Sequence, residues 1–323
     1  MQPTQVRLSY VTVDVFTQQR YSGNPLAIVK VPRQHTLTRE QKQSIAQEFN
    51  LSETVILHEQ ENNDNNGIKC PIDIFMTDRE LPFAGHPTVG TAYLLGRDAT
   101  SDAGKILTKA GEIPFQYDSA ADEAFVEVPH DLHIHDKCLN HSEVHNAGFP
   151  SLVLENIIGS PSFVSIVKGM TFVLIELSSL ETLSAVNSCF HGPISGLDSP
   201  WYSEGTLLGT YFYVKNGTLP DGTVSLSTRM IVGTLEDPAT GSAASTLSGY
   251  LAIKMTQMDI ANDSPDKGVS SMSTVKFNLE QGVDMGRRSS LKTMVKVDKA
   301  THEVCSIVLG GSVVKVMEGQ LLV

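Results

Sequence analysis

The chain has 323 residues, enough for two ordinary domains, and its 41% apolar and 19% charged residues describe a packed globular protein. A formal charge of −12 and a pI near 5.2 argue against general binding to nucleic acid or an anionic membrane, which needs a basic surface. A small anionic metabolite remains a possible partner, because a pocket can be locally positive inside an acidic protein. Cys70, Cys138, Cys189 and Cys305 lie far apart without a CxxC pair, so neither a zinc ribbon nor a disulfide scaffold is indicated. Met1 to Tyr10 show no basic stretch followed by an apolar core, and no apolar run reaches the roughly 18 residues that span a bilayer. A cytoplasmic location is expected, with the sequons at Asn50, Asn140, Asn216 and Asn262 as chance matches.

The β-branched and aromatic stretch Val6 to Phe16 predicts a strand, and the Gly23-Asn24-Pro25 turn leads into a second at Leu26 to Val31. Thr38 to Phe49 reads as a helix, with Thr38 as cap, Gln41 at the third position and Ile45, Ala46 and Phe49 as its apolar stripe. Leu51 to Leu57 is extended, Glu61 to Gly67 a turn or loop, and Ile72 to Thr77 a strand. After the loop Leu81-Pro82-Phe83-Ala84-Gly85-His86-Pro87, a buried helix runs from Thr88 to Leu95. Strands follow at Lys105 to Lys109, Ile113 to Tyr117 and Ala124 to Val128.

The same order then recurs. Phe163 to Leu177, Leu207 to Lys215 and Thr223 to Ile231 supply strands. The loop Glu236-Asp237-Pro238-Ala239-Thr240-Gly241-Ser242 precedes a small-residue helix, Ala243 to Ala252. Thr274 to Leu279 and Leu291 to Val297 flank a turn at Gly282, and Cys305 to Leu309 and Gly311 to Val323 close the chain. The repetition predicts an α+β protein of two similar halves, each a sheet wrapped around an unusually apolar central helix. The first half is expected over residues 1–128 and the second over 129–314, with the polar, histidine-rich stretch Pro129 to Pro150 as the boundary.

Both loops place small residues at a helix start, where outward-pointing amides and the positive dipole end suit a carboxylate or phosphate. Glycine lets a ligand approach the backbone closely, and Pro87 is tolerated in a first turn. Ordinary loop-to-helix capping explains the same residues. Asp237, held extended by Pro238, suits a side chain aimed out of a loop, or a plain turn aspartate. His86 is a candidate general acid or hydrogen-bond donor, or a capping histidine. Glu53 lies among Leu51, Val55, Ile56 and Leu57; desolvation there would raise its pKa as a proton-shuttling base requires, whereas simple alternation would put it on a solvated strand face. His130, His133, His135, Cys138, His141 and His145 invite a metal hypothesis, but no second compact ligand pair accompanies them and a solvated linker is the expectation. No GxGxxG after a strand, Walker loop, GxSxG or HExxH occurs, so no nucleotide or flavin cofactor is indicated.

Taken in order, Val13-Asp14-Val15-Phe16-Thr17, Gly23-Asn24-Pro25, Leu51-Ser52-Glu53-Thr54, Glu80 to Thr88, Glu236 to Ala243 and Glu280-Gln281-Gly282 resemble the phenazine-biosynthesis isomerase (PhzF-like) family, related in fold to diaminopimelate epimerase. The resemblance implies two pseudo-symmetric domains, each a β-barrel-like sheet around a central helix, with the active site between them and the last strand, about 315–323, returning to the first domain. It implies a cofactor-free isomerase or epimerase, often a homodimer. It assigns the acid/base role to Glu53, site roles to His86, Asp237 and Ser242, and backbone amides to Gly85 and Gly241. Related epimerases use one cysteine in each loop; neither loop here has one, which implies a single carboxylate that takes a proton and returns it on the same face. Two departures from the family pattern bear on the substrate: a short Arg229 to Glu236 segment reading Met230-Ile231-Val232-Gly233 after the arginine, and arginine in Gly286-Arg287-Arg288-Ser289 where proline is common. A non-catalytic ligand-sensing or protein-interaction role on the same fold is the alternative.

Overall fold

The first strand, β1 (Arg7–Val15), explains why the sheet is covered on both sides. Val11, Val13 and Val15 are nearly or fully buried on one face, while Leu8 joins an apolar layer with Val29, Leu37, Ile45 and Ile56 on the other. The computed structural model describes residues 6–59, 68–98, 102–191, 194–203, 206–262 and 271–323, and the expected Glu61 to Gly67 loop lies outside them. Spatial proximity divides the chain into two compact units, Met1–Glu127 with Gly310–Val323, and Val128–Leu309.

In the first unit, β1 is followed by β2 (Asn24–Val31), α1 (Arg39–Phe49), β3 (Thr54–His58), β4 (Ile68–Phe75), β5 (Glu80–Leu81), α2 (Gly85–Asp98), β6 (Ala103–Thr108), β7 (Gly111–Asp118) and β8 (Glu123–Glu127). The second unit holds β9 (His133–Cys138), α3 (His141–His145), α4 (Ser151–Leu154), β10 (Ile157–Val167), β11 (Met170–Leu177), α5 (Leu180–Ser184), β12 (Leu207–Thr218), β13 (Val224–Val232), β14 (Leu235–Asp237), α6 (Gly241–Asn262), β15 (Met272–Gln281) and β16 (Ser289–Asp298). The last strand, β17 (Val304–Leu322), contributes to both units.

The pairing pattern repeats element by element. β1 and β2 are antiparallel, β2 and β3 parallel with α1 between them, β3 and β4 antiparallel, β4 and β6 parallel, β6 and β7 antiparallel. In the second unit β10 and β11 are antiparallel, β11 and β12 parallel with α5 between them, β12 and β13 antiparallel, β13 and β15 parallel, β15 and β16 antiparallel. A short hairpin strand, β5 on β4 and β14 on β13, comes just before the long helix in each. The protein is therefore α+β with two like-ordered halves. In the first unit β17 pairs with both β1 and β8, which closes an eight-stranded barrel.

Each long helix is buried nearly all round because strands surround it. In α2 this holds for every residue from Gly85 to Leu94 and for Gly96. Gly90 is needed because a Cβ there would lie 2.6 Å from Leu26 and 3.0 Å from Val15. In α6, Ala243, Ala244, Leu247 and Leu251 are buried as their small size predicts. The helix runs to Asn262, beyond the expected end at Ala252, with Lys254 and Gln257 exposed in the added turns.

The expected linker is a correction. His133–Cys138 forms β9, which pairs antiparallel with β10, and His135 is buried. The strand was hidden because histidine, aspartate and lysine occupy its positions, although alternation is still present. The two expected runs at the end of the chain are the single strand β17. Helix α1 matches its sequence signals: Thr38 caps it, Gln41 completes the capping box, and Asn50 ends it in the left-handed region at φ 51°. Among the described residues, no helix is long and apolar enough to cross a membrane.

Candidate active site

Glu53 precedes the first residue of β3, three positions after the left-handed Asn50 that ends α1. Thr54 to Leu57 are buried, pairing in parallel with Ala27 to Lys30, so the chain enters the barrel wall immediately after the carboxylate. The Glu53 side chain is only 16% exposed. Burial pushes its pKa above the ordinary carboxyl value, with the Ser52 hydroxyl's hydrogen bond pulling the other way.

His86 occupies the second position of α2 and is 5% exposed. Its Nδ1 lies 3.5 Å from Glu53 Oε2, which brings together two of the residues singled out in the sequence. The helix begins as the Ala84 carbonyl accepts from the Thr88 amide at 3.3 Å and from the Thr88 hydroxyl at 2.7 Å. First-turn amides such as that of Gly85 point out of the helix end, where a developing anion is favoured.

The second loop, in the other unit, is built from β14 and the start of α6. Asp237 ends β14, and its Oδ2 accepts from Thr240 Oγ1 at 2.5 Å. Thr240 in turn accepts, through its carbonyl, the Ala244 amide that begins α6. Gly241 and the half-buried Ser242 fill the first two positions of that helix.

Gln281, fully buried, organises this loop. Its Nε2 donates to the Asp237 carbonyl at 2.8 Å and to Thr240 Oγ1 at 3.2 Å. Its Oε1 accepts from the Thr240 amide at 3.4 Å and from Tyr211 OH at 3.0 Å. The neighbouring Gly282 has φ 74°, and a Cβ there would lie 2.7 Å from the Pro238 carbonyl. The Glu280-Gln281-Gly282 motif is thus a brace for the Asp237 loop, which spacing alone does not disclose.

Arg229 stands at the start of the short segment that leads to Glu236. Its guanidinium grips Glu236 with two bonds, 2.8 and 2.7 Å, and donates to the carbonyls of Leu183, Ser184 and Val186. The β13–β14 hairpin turns through Gly233 and Thr234, with Gly233 at φ 58°, which accounts for the short segment. Arg288, at the second departure, pairs with Glu280.

The histidine-rich stretch brings His133 and His135 to Asp198, a partner the sequence did not suggest. Asp198 Oδ2 accepts from His133 Nε2 at 2.9 Å, and its amide donates to His135 Nδ1 at 3.0 Å. His135 Nε2 must then carry the proton, and it donates to Ser165 Oγ at 2.9 Å. Trp201 stacks on His133 with ring centroids 4.7 Å apart. Both nitrogens of His135 are committed to hydrogen bonds, so the group reads as a latch for the Asp198–Trp201 loop rather than a metal ligand set. His141 and His145 share a face of α3, rings 6.3 Å apart.

Two like-ordered α+β halves, each carrying a small-residue loop at the start of a buried central helix, define an isomerase or epimerase type of protein. The chain belongs to the phenazine biosynthesis-like protein family (PhzC-PhzF), whose profile matches residues 13–319. It is 32% identical over 331 aligned residues to an uncharacterized isomerase of Mesorhizobium japonicum, covering 98% of this chain and 99% of that one. It is 39% identical over 107 residues to the trans-2,3-dihydro-3-hydroxyanthranilate isomerase of Pseudomonas aeruginosa, covering 33% of this chain and 36% of that one. The crystal structure of a Bacillus anthracis PhzF-family phenazine biosynthesis protein superimposes with a TM-score of 0.71 at 20% identity, covering 98% and 100% of the two chains. The chain is an isomerase of this family.

Proposed function

We propose that this isomerase moves a proton on a small carboxylate-bearing metabolite, with Glu53 as its single acid/base. The observation that carries the reading is the largely desolvated Glu53 carboxyl, pushed upward in pKa, with His86 Nδ1 3.5 Å from it. A carboxyl tuned upward holds and releases a proton nearer neutral pH than an ordinary one, which suits a group that must do both in one turnover. His86 and Asp237 position the substrate's polar groups. Ser242 and the amides of Gly85 and Gly241 take its carboxylate and the charge that develops on proton removal. Neither loop holds a thiol, which favours one base over a symmetric pair. The chemistry needs no added cofactor, because the proton leaves and returns through the same side chain. A homodimer and a cytoplasmic location are part of the same proposal.

The test is deuterium wash-in from D2O on trans-2,3-dihydro-3-hydroxyanthranilate, the substrate in the name of the Pseudomonas aeruginosa relative, followed by a panel of small carboxylates. Wild type should exchange one carbon-bound proton on its substrate. A folded Glu53→Gln should lose that exchange by about a thousandfold, the scale of a general base. Undiminished exchange in a folded Glu53→Gln would overturn the role of Glu53.

A further inference from the structure

The barrel of the first unit has a concavity at the end of α2 away from His86. A cavity of about 550 Å3 lies between the last turns of α2 and strands β1, β2 and β17. His86 and Arg97, which lines it, are 11 residues apart on the helix, about 16 Å along its axis. The size and the barrel-mouth setting are those of a small-molecule site.

Charge is concentrated there against the trend of an acidic chain. Arg20, Lys30, Arg97 and Lys315 line the cavity, against Asp98 and Glu318. Both carboxylates are already matched: Asp98 lies 3.4 Å from Lys30 Nζ, and Glu318 pairs with Lys315. Among the described residues the two arginines are in no ion pair, and the one carboxylate whose charge acts on Arg97, Asp122, lies outside the cavity lining. Arg20 donates through Nε to the Lys315 carbonyl at 2.8 Å, and Arg97 donates through Nη1 to Tyr93 OH. Among the described residues neither has a carboxylate within 4.0 Å. Tyr93, beneath Arg97, also holds its guanidinium 5.6 Å above the ring.

The strand geometry supports a built wall. The β1–β17 register shifts between Thr12 and Val13, where the partner jumps from Met317 to Lys315. The extra residue, Val316, sets Lys315 opposite Val13 and Glu318 opposite Val11, so both line the cavity from one face, which strict alternation would forbid. With Val11, Val13 and Leu94, Val314 gives the site an apolar floor below its cations.

We infer that this barrel mouth binds a phosphorylated small metabolite, its phosphoryl group on Arg20 and Arg97 and its apolar body on Val11, Val13, Leu94 and Val314. Guanidinium groups with unused donors match the geometry of phosphate oxygens.

Phenyl phosphate and inorganic phosphate are the probes, titrated into the full chain by calorimetry at fixed ionic strength. Phenyl phosphate should bind once per chain, about tenfold more tightly than inorganic phosphate because of the floor. Arg20→Gln with Arg97→Gln should abolish binding, which separates this site from the proposed carboxylate cradle of Ser242 and the loop amides, and Glu53→Gln should leave it unchanged. Absence of saturable binding by phenyl phosphate overturns the inference. So does binding that survives in the double arginine variant or is lost in Glu53→Gln. Circular dichroism establishes that each variant is folded.

Discussion

Gln281 and Thr240 exchange two hydrogen bonds across 41 positions of chain, the side-chain amide giving one to the hydroxyl and taking one from the backbone amide. Neither residue carries charge, yet together they fix the carboxylate of Asp237, which accepts from the same Thr240 hydroxyl. Replacing Gln281 by Leu keeps the volume roughly but removes both functions. The Thr240 amide, the Asp237 carbonyl and Tyr211 OH would then lose a buried partner. A loss of about 3 kcal/mol in unfolding free energy is expected, measured by urea denaturation. A loss below about 0.5 kcal/mol would show that the brace is not needed.

Glu53 should give the protein a distinctive response to pH. Its folded pKa is raised above the ordinary 4.5, so as pH climbs past 4.5 the unfolded chain releases a proton that the folded chain keeps. Wild-type stability relative to Glu53→Gln should therefore fall from pH 4.5 upward and level off at the raised value. Urea midpoints at a series of pH values measure this. Activity should show the complementary trend, its acid limb lying above 4.5, because the base must be ionised to accept a proton. An acid limb at or below 4.5 contradicts the assignment.

Arg229 is expected to tolerate no substitution. Met would leave the Glu236 carboxylate and three carbonyls at the end of α5 without their donor, at a cost of about 3–5 kcal/mol. Lys should recover little of it, because one ammonium cannot reproduce the two-pronged grip and the carbonyl contacts together. Thermal denaturation of the two variants side by side decides the point.

Asp73 behaves in the opposite sense to Glu53. Burial pushes its carboxyl up, but bonds from His58 at 2.8 Å and Lys42 at 2.5 Å outweigh that and hold it at about 2. Its contribution is fully present above the ordinary 3.8 and disappears as pH falls toward 2. Asp73→Asn should lower stability by on the order of 1–2 kcal/mol at neutral pH, less than the full shift implies because the group is partly solvated. The difference from wild type should vanish near pH 2 in acid-denaturation curves.

What could be read in the chain follows from how local each signal is. The capping box of Thr38 and Gln41 spans four residues, and it is present as expected. The two small-residue helices were legible because a helix inside a barrel cannot be amphipathic. Their starts at Gly85 and Gly241 coincide with the glycines of the loops. Pairings that join distant segments were not legible. His133 meets Asp198 across 65 positions, and Arg229 meets carbonyls more than 40 positions earlier. Strand β9 was hidden for another reason: its polar residues mimic a linker, and only the buried environment of His135 shows otherwise. Glu53 and His86 could each be named, but not their 3.5 Å approach, which depends on α2 entering the barrel beside the start of β3.

Strand β17 has a consequence for how the protein is made. Unit one needs Gly310–Val323, and β1 has β17 as one of its two neighbours. During synthesis, all of Val128–Leu309 emerges after β8 and before the closing strand, an interval on the order of ten seconds. Until then β1 and β8 present open edges, the kind that recruit strands from other chains. The half that carries Glu53 and His86 is begun first and finished last, so a nascent chain can complete its second unit while its proposed base still waits for a wall.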